Sequence, residues 1–159
     1  MTEIIDYLRN LISPVTERFV NEQHTLFLVG GVVRDSFINQ KIKSPDLDLT
    51  TNATPDQIRA LVEPVADAVW LQGERFGTIG LRIGEIRMEI TTHRSESYIT
   101  SSRKPSVTFS LNLEDDLSRR DFTVNAMAFE LDTGNFFDPF NGRSDLENKI
   151  LRTPLSPSE

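Results

Sequence analysis

The chain has 159 residues, no cysteine and a formal net charge of -7 at pH 7. Its length suits one domain, and the lack of cysteine excludes disulfides, thiolate metal sites and a cysteine nucleophile. No apolar run is long enough to span a bilayer and the N-terminus does not resemble a signal peptide, so we expect a cytoplasmic domain with no membrane partner.

The first predicted elements are a helix, a strand and a second helix. Apolar residues recur at helical spacing from Ile4 to Ile12, which predicts an amphipathic helix that ends before Pro14. The apolar run Leu26–Val29 predicts a buried strand that ends at a glycine pair, and residues 32–39 predict the next helix.

The middle of the chain predicts a strand, a helix and a hairpin. Residues 46–50 alternate acid and leucine, which is typical of a strand. Thr54 followed by Pro55 is a favourable helix start, and the helix should run to about Val62. Residues 78–83 and 85–92 flank Gly84 and predict the two strands of a hairpin.

The last third of the chain predicts shorter elements. They are, in order, a mobile polar loop over 98–106, a helix over 121–129, a strand at Phe136-Phe137, turns at Asp138-Pro139 and Asn141-Gly142, and a short helix over 145–149. Because strands and helices interleave along the chain, we expect an α/β (α+β) fold with a small mixed, largely antiparallel sheet and helices packed on it.

The strand over 46–50 carries the first functional candidates. Side chains alternate along a strand, so Asp46 and Asp48 share one face while Leu47 and Leu49 point into the core. Two carboxylates about 6.6 Å apart along a strand can bind hard cations such as Mg²⁺, which also relieve their repulsion. The alternative is a solvated acidic strand edge.

The glycine pair ahead of this strand is a candidate phosphate site. Gly30 and Gly31 lie between a strand end and a helix start, where unpaired N–H groups favour an anion. Arg34, one turn into the helix, can reach the same phosphate with a forked donor. The alternative is an ordinary tight turn with Arg34 in water.

Two further segments carry charged candidates. Glu89 would lie on a strand next to the acid pair, either as a third functional carboxylate or simply as a half-exposed strand residue. Arg94 would be a donor near the end of that strand. Arg119 and Arg120 would begin the helix over 121–129, where the positive end of the helix dipole disfavours them. Their compensating anion is Asp121 or a triphosphate, and an internal Arg–Asp brace is the alternative.

The helix predicted over 121–129 would also place its side chains on distinct faces. Phe122, Ala126 and Phe129 would form one apolar stripe, and Asp121 and Asn125 would share another face.

Five segments together resemble a known family. They are Gly30-Gly31-Val32-Val33-Arg34-Asp35, Asp46-Leu47-Asp48 with Thr50-Thr51-Asn52-Ala53-Thr54-Pro55, Glu89-Ile90-Thr91-Thr92-His93-Arg94, Arg119-Arg120-Asp121-Phe122-Thr123-Val124-Asn125-Ala126, and Asp138-Pro139-Phe140-Asn141-Gly142. This order is similar to that of the class II tRNA nucleotidyltransferases (CCA-adding enzymes) and bacterial poly(A) polymerases, which are DNA polymerase β-like nucleotidyltransferases.

The resemblance implies roles for these residues. Asp46 and Asp48 would bind the catalytic Mg²⁺, in a two-ion site with the ions about 3.5–4 Å apart, and Glu89 would be a further catalytic carboxylate. The implied nucleotide-binding residues are Gly30, Gly31, Arg34, Asp35, Arg94, Arg119, Arg120, Asp121 and Asn125. The polar stretch 98–105 resembles the family's flexible loop, which helps the switch from C to A addition.

The implied function is template-independent addition of CCA to tRNA 3′ ends from CTP and ATP, with release of pyrophosphate. Poly(A) addition and A-only or CC-only addition to tRNA are alternatives. A non-catalytic nucleotide-binding module is an alternative of another class.

The implied organisation is that of a head domain. We expect an N-terminal helical segment over 1–25, the nucleotidyltransferase head over 26–150 and the start of a linker over 151–159. In the family a neck helix with a Glu/Asp-Asp-x-x-Arg motif follows and reads the base of CTP or ATP, whereas this chain stops before such a motif. We therefore expect a head domain that lacks the base-reading and tRNA-gripping parts.

The net charge of -7 fits this expectation. Binding to a nucleic-acid backbone normally needs a basic surface, so an acidic chain is an unusual RNA-binding protein. Two explanations reconcile the charge with an RNA partner: the acids bind metal ions, or the RNA-binding surface lies outside this chain.

Overall fold

The computed structural model describes residues 2–38, 46–71, 77–97, 106–109 and 111–155. The helices of the described residues are α1 (Thr2–Leu11), α2 (Ser13–Asn21), α3 (Gly31–Phe37), α4 (Pro55–Val62), α5 (Leu113–Ser118) and α6 (Gly142–Glu147), and a 3₁₀ turn spans Thr123–Asn125. The strands are β1 (Leu26–Val29), β2 (Asp46–Thr51), β3 (Ala68–Leu71), β4 (Thr78–Ile83), β5 (Ile86–Thr92), β6 (Arg94–Ser97), β7 (Ser106–Phe109), β8 (Ala128–Glu130) and β9 (Phe136–Phe137).

Seven of these strands form one sheet, in the order β3-β4-β5-β2-β1-β8-β9. Its neighbouring strands are antiparallel except for β2 and β5, which are parallel. Strands β6 and β7 form a separate antiparallel pair. The predicted mixed, largely antiparallel sheet is therefore confirmed.

The two faces of the sheet have different surroundings. The main core contains side chains from α1 to α4 packed against Leu47 and Leu49 of β2. A smaller cluster on the other side contains Phe27 and Val29 of β1 together with Leu117 of α5. Most of the helices therefore cover one face, and the other face is left partly open beside β2.

Several local predictions are confirmed. Strand β1 has the predicted bounds, and β2 exposes Asp46 and Asp48 while it buries Leu47 and Leu49. Helix α4 begins with a capping box, in which the Gln57 N–H donates to Thr54 Oγ1 (3.3 Å) and the Thr54 N–H donates to Gln57 Oε1 (2.9 Å). Each of these predictions depends on residues that lie within a few positions of one another in the sequence, as Thr54 and Gln57 do in the capping box.

The predicted helix over 121–129 is wrong. The segment forms the 3₁₀ turn and then enters β8, and its apolar residues point to different places. Phe129 lies in the main core, Ala126 lies in the smaller cluster and Phe122 is exposed. The apolar spacing matched a helix by coincidence, because the segment contributes to two separate cores.

The helix of this region lies earlier, as α5. Asn112 caps it by accepting a hydrogen bond from the Glu114 N–H (2.8 Å), and its first turn is acidic. Both features are known helix-start signals, so the sequence contained this helix although the pattern analysis did not assign it.

Other elements differ in smaller ways. Helix α1 ends at Leu11, before Pro14 as predicted, but Pro14 lies in the first turn of α2, which was not predicted. Helix α6 starts three residues before the predicted 145, because Asp138 accepts hydrogen bonds from the N–H groups of Gly142 (2.6 Å) and Arg143 (3.1 Å).

Strands β3, β6 and β7 were also not predicted. The predicted loop 98–106 lies outside the described residues except for Ser106, which begins β7.

Within the described ranges, no helix has both the length and the apolar character needed to cross a bilayer.

Candidate active site

A cross-strand row of residues forms the floor of the site. Trp70 pairs with Gly80, Gly80 with Glu89, Glu89 with Asp48 and Asp48 with Val29, on five consecutive strands. Residues paired in this way project to the same face of a sheet. The row therefore places two predicted acids next to each other and adds a tryptophan that sequence reasoning did not include.

The acid pair lines a cleft of about 310 Å³. Its walls are Asp46, Leu47, Asp48, Trp70, Arg87 and Glu89. Desolvation by the cleft walls raises the pKa of Asp48, the charge of Arg120 lowers it and the charge of Asp46 raises it again. Asp48 is therefore a carboxylate that a bound cation would help to keep ionised.

These carboxylates fit a magnesium ion better than a fully protein-bound metal. In the described part of the chain no group of three or more Asp, Glu, His or Cys side chains is arranged to hold a metal ion. Mg²⁺ usually takes one or two carboxylates and completes its shell with water and substrate phosphates. Asp46 and Asp48 match that donor set. Glu89 lies beside Asp48 but does not complete a three-residue cluster.

The glycine turn lies directly against the acid pair. Gly30 has φ +78°, and a Cβ built on it would lie 3.3 Å from Asp48 Oδ2. Gly31 starts α3, where the first N–H groups have no intrahelical acceptor. The turn and the acids, 18 positions apart in the chain, are thus two sides of one site.

Arg34 links this turn to a third motif and is not simply solvated. Its Nη1 donates to Asn125 Oδ1 (3.0 Å), and its Nε donates to Asp35 Oδ1 (3.1 Å). A Cβ on Gly31 would lie 3.4 Å from Arg34 Nη2, so the guanidinium lies along the turn. Asp35 and Asn125 therefore orient Arg34 from two sides.

The predicted arginine pair is held by an acid that the sequence analysis missed. Arg119 and Arg120 follow the C-terminal end of α5, where the helix dipole favours cations, so the predicted location at a helix start is wrong. Asp116 accepts hydrogen bonds from Arg119 Nη2 (3.1 Å) and Arg120 Nη2 (3.0 Å). The internal Arg–Asp brace exists, but its acid is Asp116.

Asp121 has a different position from the one predicted. It is exposed, and without the helix it does not share a face with Asn125. Arg94 does lie near the arginine pair, since its backbone N–H also donates to Asp116 (3.0 Å) while its Nη2 donates to Thr78 Oγ1 (3.0 Å).

A second cleft lies on the other side of Arg34. Its volume is about 460 Å³, and its lining is Arg34, Phe122, Val124, Asn125, Asp145, Leu146, Lys149, Ile150 and Leu151. The mainly apolar lining contrasts with the acidic cleft, and Arg34 borders both the Gly30-Gly31 turn and this apolar surface.

Most of the chain is similar to proteins of one known family. The family model of the poly(A) polymerase head domain matches residues 26–152. A CCA-adding enzyme of Bacillus subtilis (strain 168) is 39% identical over 147 residues, which is 92% of this chain and 35% of the relative. The chain thus spans about a third of the length of this curated relative.

Solved structures agree with the sequence comparison. The Bacillus stearothermophilus CCA-adding enzyme in complex with CTP is 31% identical, with a TM-score of 0.73 over 88% of this chain and 32% of that one. A tRNA nucleotidyltransferase complexed with a primer tRNA and an incoming ATP analog is 30% identical, with a TM-score of 0.69 over 89% of this chain and 39% of that one.

Proposed function

The chain belongs to the poly(A) polymerase head-domain family, and we propose that it is the catalytic head of an enzyme that adds nucleotides to RNA 3′ ends. The leading form of the proposal is CCA addition to tRNA from CTP and ATP, as the names of the relatives suggest. Poly(A) addition and A-only or CC-only addition are the alternatives. The cytoplasmic location and the division at residues 25 and 150 remain parts of this proposal.

One observation carries the proposal: the glycine turn lies against the acid pair, with Gly30 beside Asp48. Nucleotidyl transfer needs triphosphate-binding groups and metal-binding carboxylates at one place, and this contact joins them. Arg34 supports the same conclusion, because it lies along the turn and donates to Asn125.

Each group then has a part in the reaction. The N–H groups of Gly31 and its neighbours, with Arg34, would bind the triphosphate, and Arg119 and Arg120 would neutralise its charge. The nucleoside would lie in the apolar cleft beside Arg34. When bound at Asp46 and Asp48, Mg²⁺ would activate the RNA 3′-hydroxyl and stabilise the charge of the leaving pyrophosphate. The protein otherwise contributes positioning and electrostatic stabilisation.

The test is an incorporation assay with protein expressed from its complete coding sequence. We expect it to extend tRNA lacking the terminal CCA when CTP, ATP and Mg²⁺ are present. Asp46→Asn and Asp48→Asn should each lower the rate roughly 100-fold or more, because the cation loses a ligand. Asp56→Asn is the control, since Asp56 is exposed at the start of α4, on the opposite side of the sheet.

The products separate the alternatives. Clean CCA ends support the leading form, long runs of A indicate a poly(A) polymerase, and ends with only C or only A residues indicate a partial enzyme. Nucleotide binding without incorporation would contradict catalysis and favour the non-catalytic module.

The metal site has a readout besides activity. Trp70 is the only tryptophan in the chain and lines the acidic cleft. Tb³⁺ is a hard, oxygen-seeking cation, and its luminescence should rise when the indole is excited. Mg²⁺ should compete, and the signal should fall in Asp46→Asn and Asp48→Asn but not in Asp56→Asn. A parent protein without a competable signal would contradict the metal assignment.

A further inference from the structure

Asp116 is a buried carboxylate outside the five motif segments. It is 0% exposed and accepts hydrogen bonds from three donors, namely Arg119 Nη2, Arg120 Nη2 and the Arg94 backbone N–H. Burial alone would raise the pKa of Asp116, but Arg120 and Arg119 lower it below its usual value with help from the Arg94 N–H. Asp116 is therefore ionised at neutral pH.

Two of these donors belong to the arginines that would contact a triphosphate. The side chains of Arg119 and Arg120 are 20% and 19% exposed, so both are largely enclosed. Each is held through one Nη2, and a planar guanidinium held at one nitrogen has the direction of its other donors restricted. The charge of Arg120 also lowers the pKa of Asp48, so Arg120 hydrogen-bonds to Asp116 and is within electrostatic range of the acid pair.

The arginines also repel one another. Burial lowers the pKa of Arg94 most, the charges of Arg119 and Arg120 lower it further, and the charge of Asp116 raises it. Three cations around one buried anion keep a net positive charge that can attract a further anion. Without Asp116, Arg119 and Arg120 would lose the carboxylate that accepts both of their described side-chain hydrogen bonds, and repulsion would separate them.

We propose that Asp116 is a positioning residue for nucleoside triphosphate binding: it does not touch the nucleotide, but it holds Arg119 and Arg120 in the orientation that neutralises the phosphates. This inference rests on the proposed function. It predicts that the triphosphate, and not the nucleoside, is the part of the substrate whose binding depends on Asp116.

The first test compares two acid-to-amide variants of the same helix. Asp116→Asn should raise the dissociation constant of MgATP at least tenfold and that of inorganic tripolyphosphate in parallel. Glu114→Gln is the matched control, because Glu114 is an exposed acid of α5 and the charge change is the same. Asp116→Glu, which keeps the charge, should recover part of the loss. Equal binding by parent and Asp116→Asn would overturn the inference.

A kinetic readout separates positioning from a general loss of structure. At a temperature where circular dichroism shows Asp116→Asn to be folded, KM for the nucleotide should rise with Asp116→Asn and stay unchanged with Glu114→Gln. If Asp116→Asn instead lowers kcat and leaves KM unchanged, the result would contradict positioning of the phosphate-binding arginines.

A charge-balanced variant covers the case in which Asp116→Asn does not fold. Asp116→Asn with Arg119→Gln removes one anion and one cation together. If Asp116 orients Arg120, the double variant should bind tripolyphosphate at least tenfold more weakly than Arg119→Gln alone, and equal binding would overturn the inference. If the parent protein itself binds neither MgATP nor tripolyphosphate, the proposed function fails. If the parent binds both and the Asp116 variants bind equally well, only the role of Asp116 fails, so the two failures are distinguishable.

Discussion

Gly30 is the residue whose backbone brings the proposed phosphate-binding turn against the acid pair. Its φ of +78° and ψ of -148° lie in a region that is essentially restricted to glycine. A side chain there would also approach Asp48 Oδ2. The backbone conformation at position 30 and the limited space beside Asp48 therefore both require glycine.

Gly30→Ala should lower stability by about 1–3 kcal/mol and weaken MgATP binding severalfold. The matched control is Gly84→Ala, because Gly84 also has a positive φ (+60°) but a Cβ there meets nothing within 4 Å. That variant should lose about 1 kcal/mol and bind MgATP normally. Urea unfolding and calorimetric titration measure both effects. Normal nucleotide binding by folded Gly30→Ala would contradict the placement of the turn in the site.

At the scale of elements, the edge of the acidic cleft depends on how β3 packs on β4. Trp70 pairs with Gly80, and a Cβ on Gly80 would lie 2.2 Å from Trp70 Nε1. The indole therefore covers Gly80, and it keeps this position only while residue 80 lacks a side chain. Trp70 is thereby held over the same row that carries Glu89 and Asp48.

Gly80→Ala should push the indole towards water and cost about 1–3 kcal/mol. The single tryptophan reports the movement directly, as a red shift of its emission. In a double-mutant cycle the cost of Gly80→Ala should fall in the Trp70→Val background, because the displaced ring is then absent. Equal costs in both backgrounds, with an unshifted emission, would show that the two residues are not packed as described.

At the scale of the whole molecule, His93 is a buried residue directly after β5 that lies within electrostatic range of Asp116, Arg119 and Arg120. It is 1% exposed, its Nδ1 lies in a hydrogen bond with Thr50 Oγ1 (2.7 Å), and its backbone N–H donates to the Thr51 carbonyl (2.8 Å). Burial lowers the pKa of His93 to about 4, with Arg120 and Arg119 acting in the same direction and Asp116 against them. The folded protein therefore keeps this ring neutral.

This neutrality makes stability depend on pH. The unfolded chain protonates His93 near its usual pKa of 6.5 and the folded chain only near 4, so stability is full above pH 6.5 and falls as pH drops towards 4. From pH 8 to pH 5 the loss should be about 2 kcal/mol. Urea titrations at both pH values measure it. His93→Gln should show a loss smaller by that amount, and an unchanged pH dependence would contradict a buried neutral histidine.

The arginine pair shows how far sequence reasoning reached at this site. The motif Arg119-Arg120-Asp121 drew attention to two arginines that share one acid, and the alternative of an internal Arg–Asp brace was correct in kind. The choice of acid was wrong, because the sequence pattern favoured the adjacent Asp121 over Asp116. The start of α5 carried the missing signal in its Asn112 cap and acidic first turn.

The sequence by itself determined the features whose causes lie within a few neighbouring residues. These include the alternation that exposes Asp46 and Asp48, the capping box of α4, the glycine turn after β1 and, through the order of the motifs, the family. Only the tertiary structure decided that Gly30 lies against Asp48, that Glu89 and Trp70 follow it across the sheet, and that Asp116 holds the arginines. The reason is physical: these contacts depend on strand order and on packing between distant segments, and local periodicity carries no information about either.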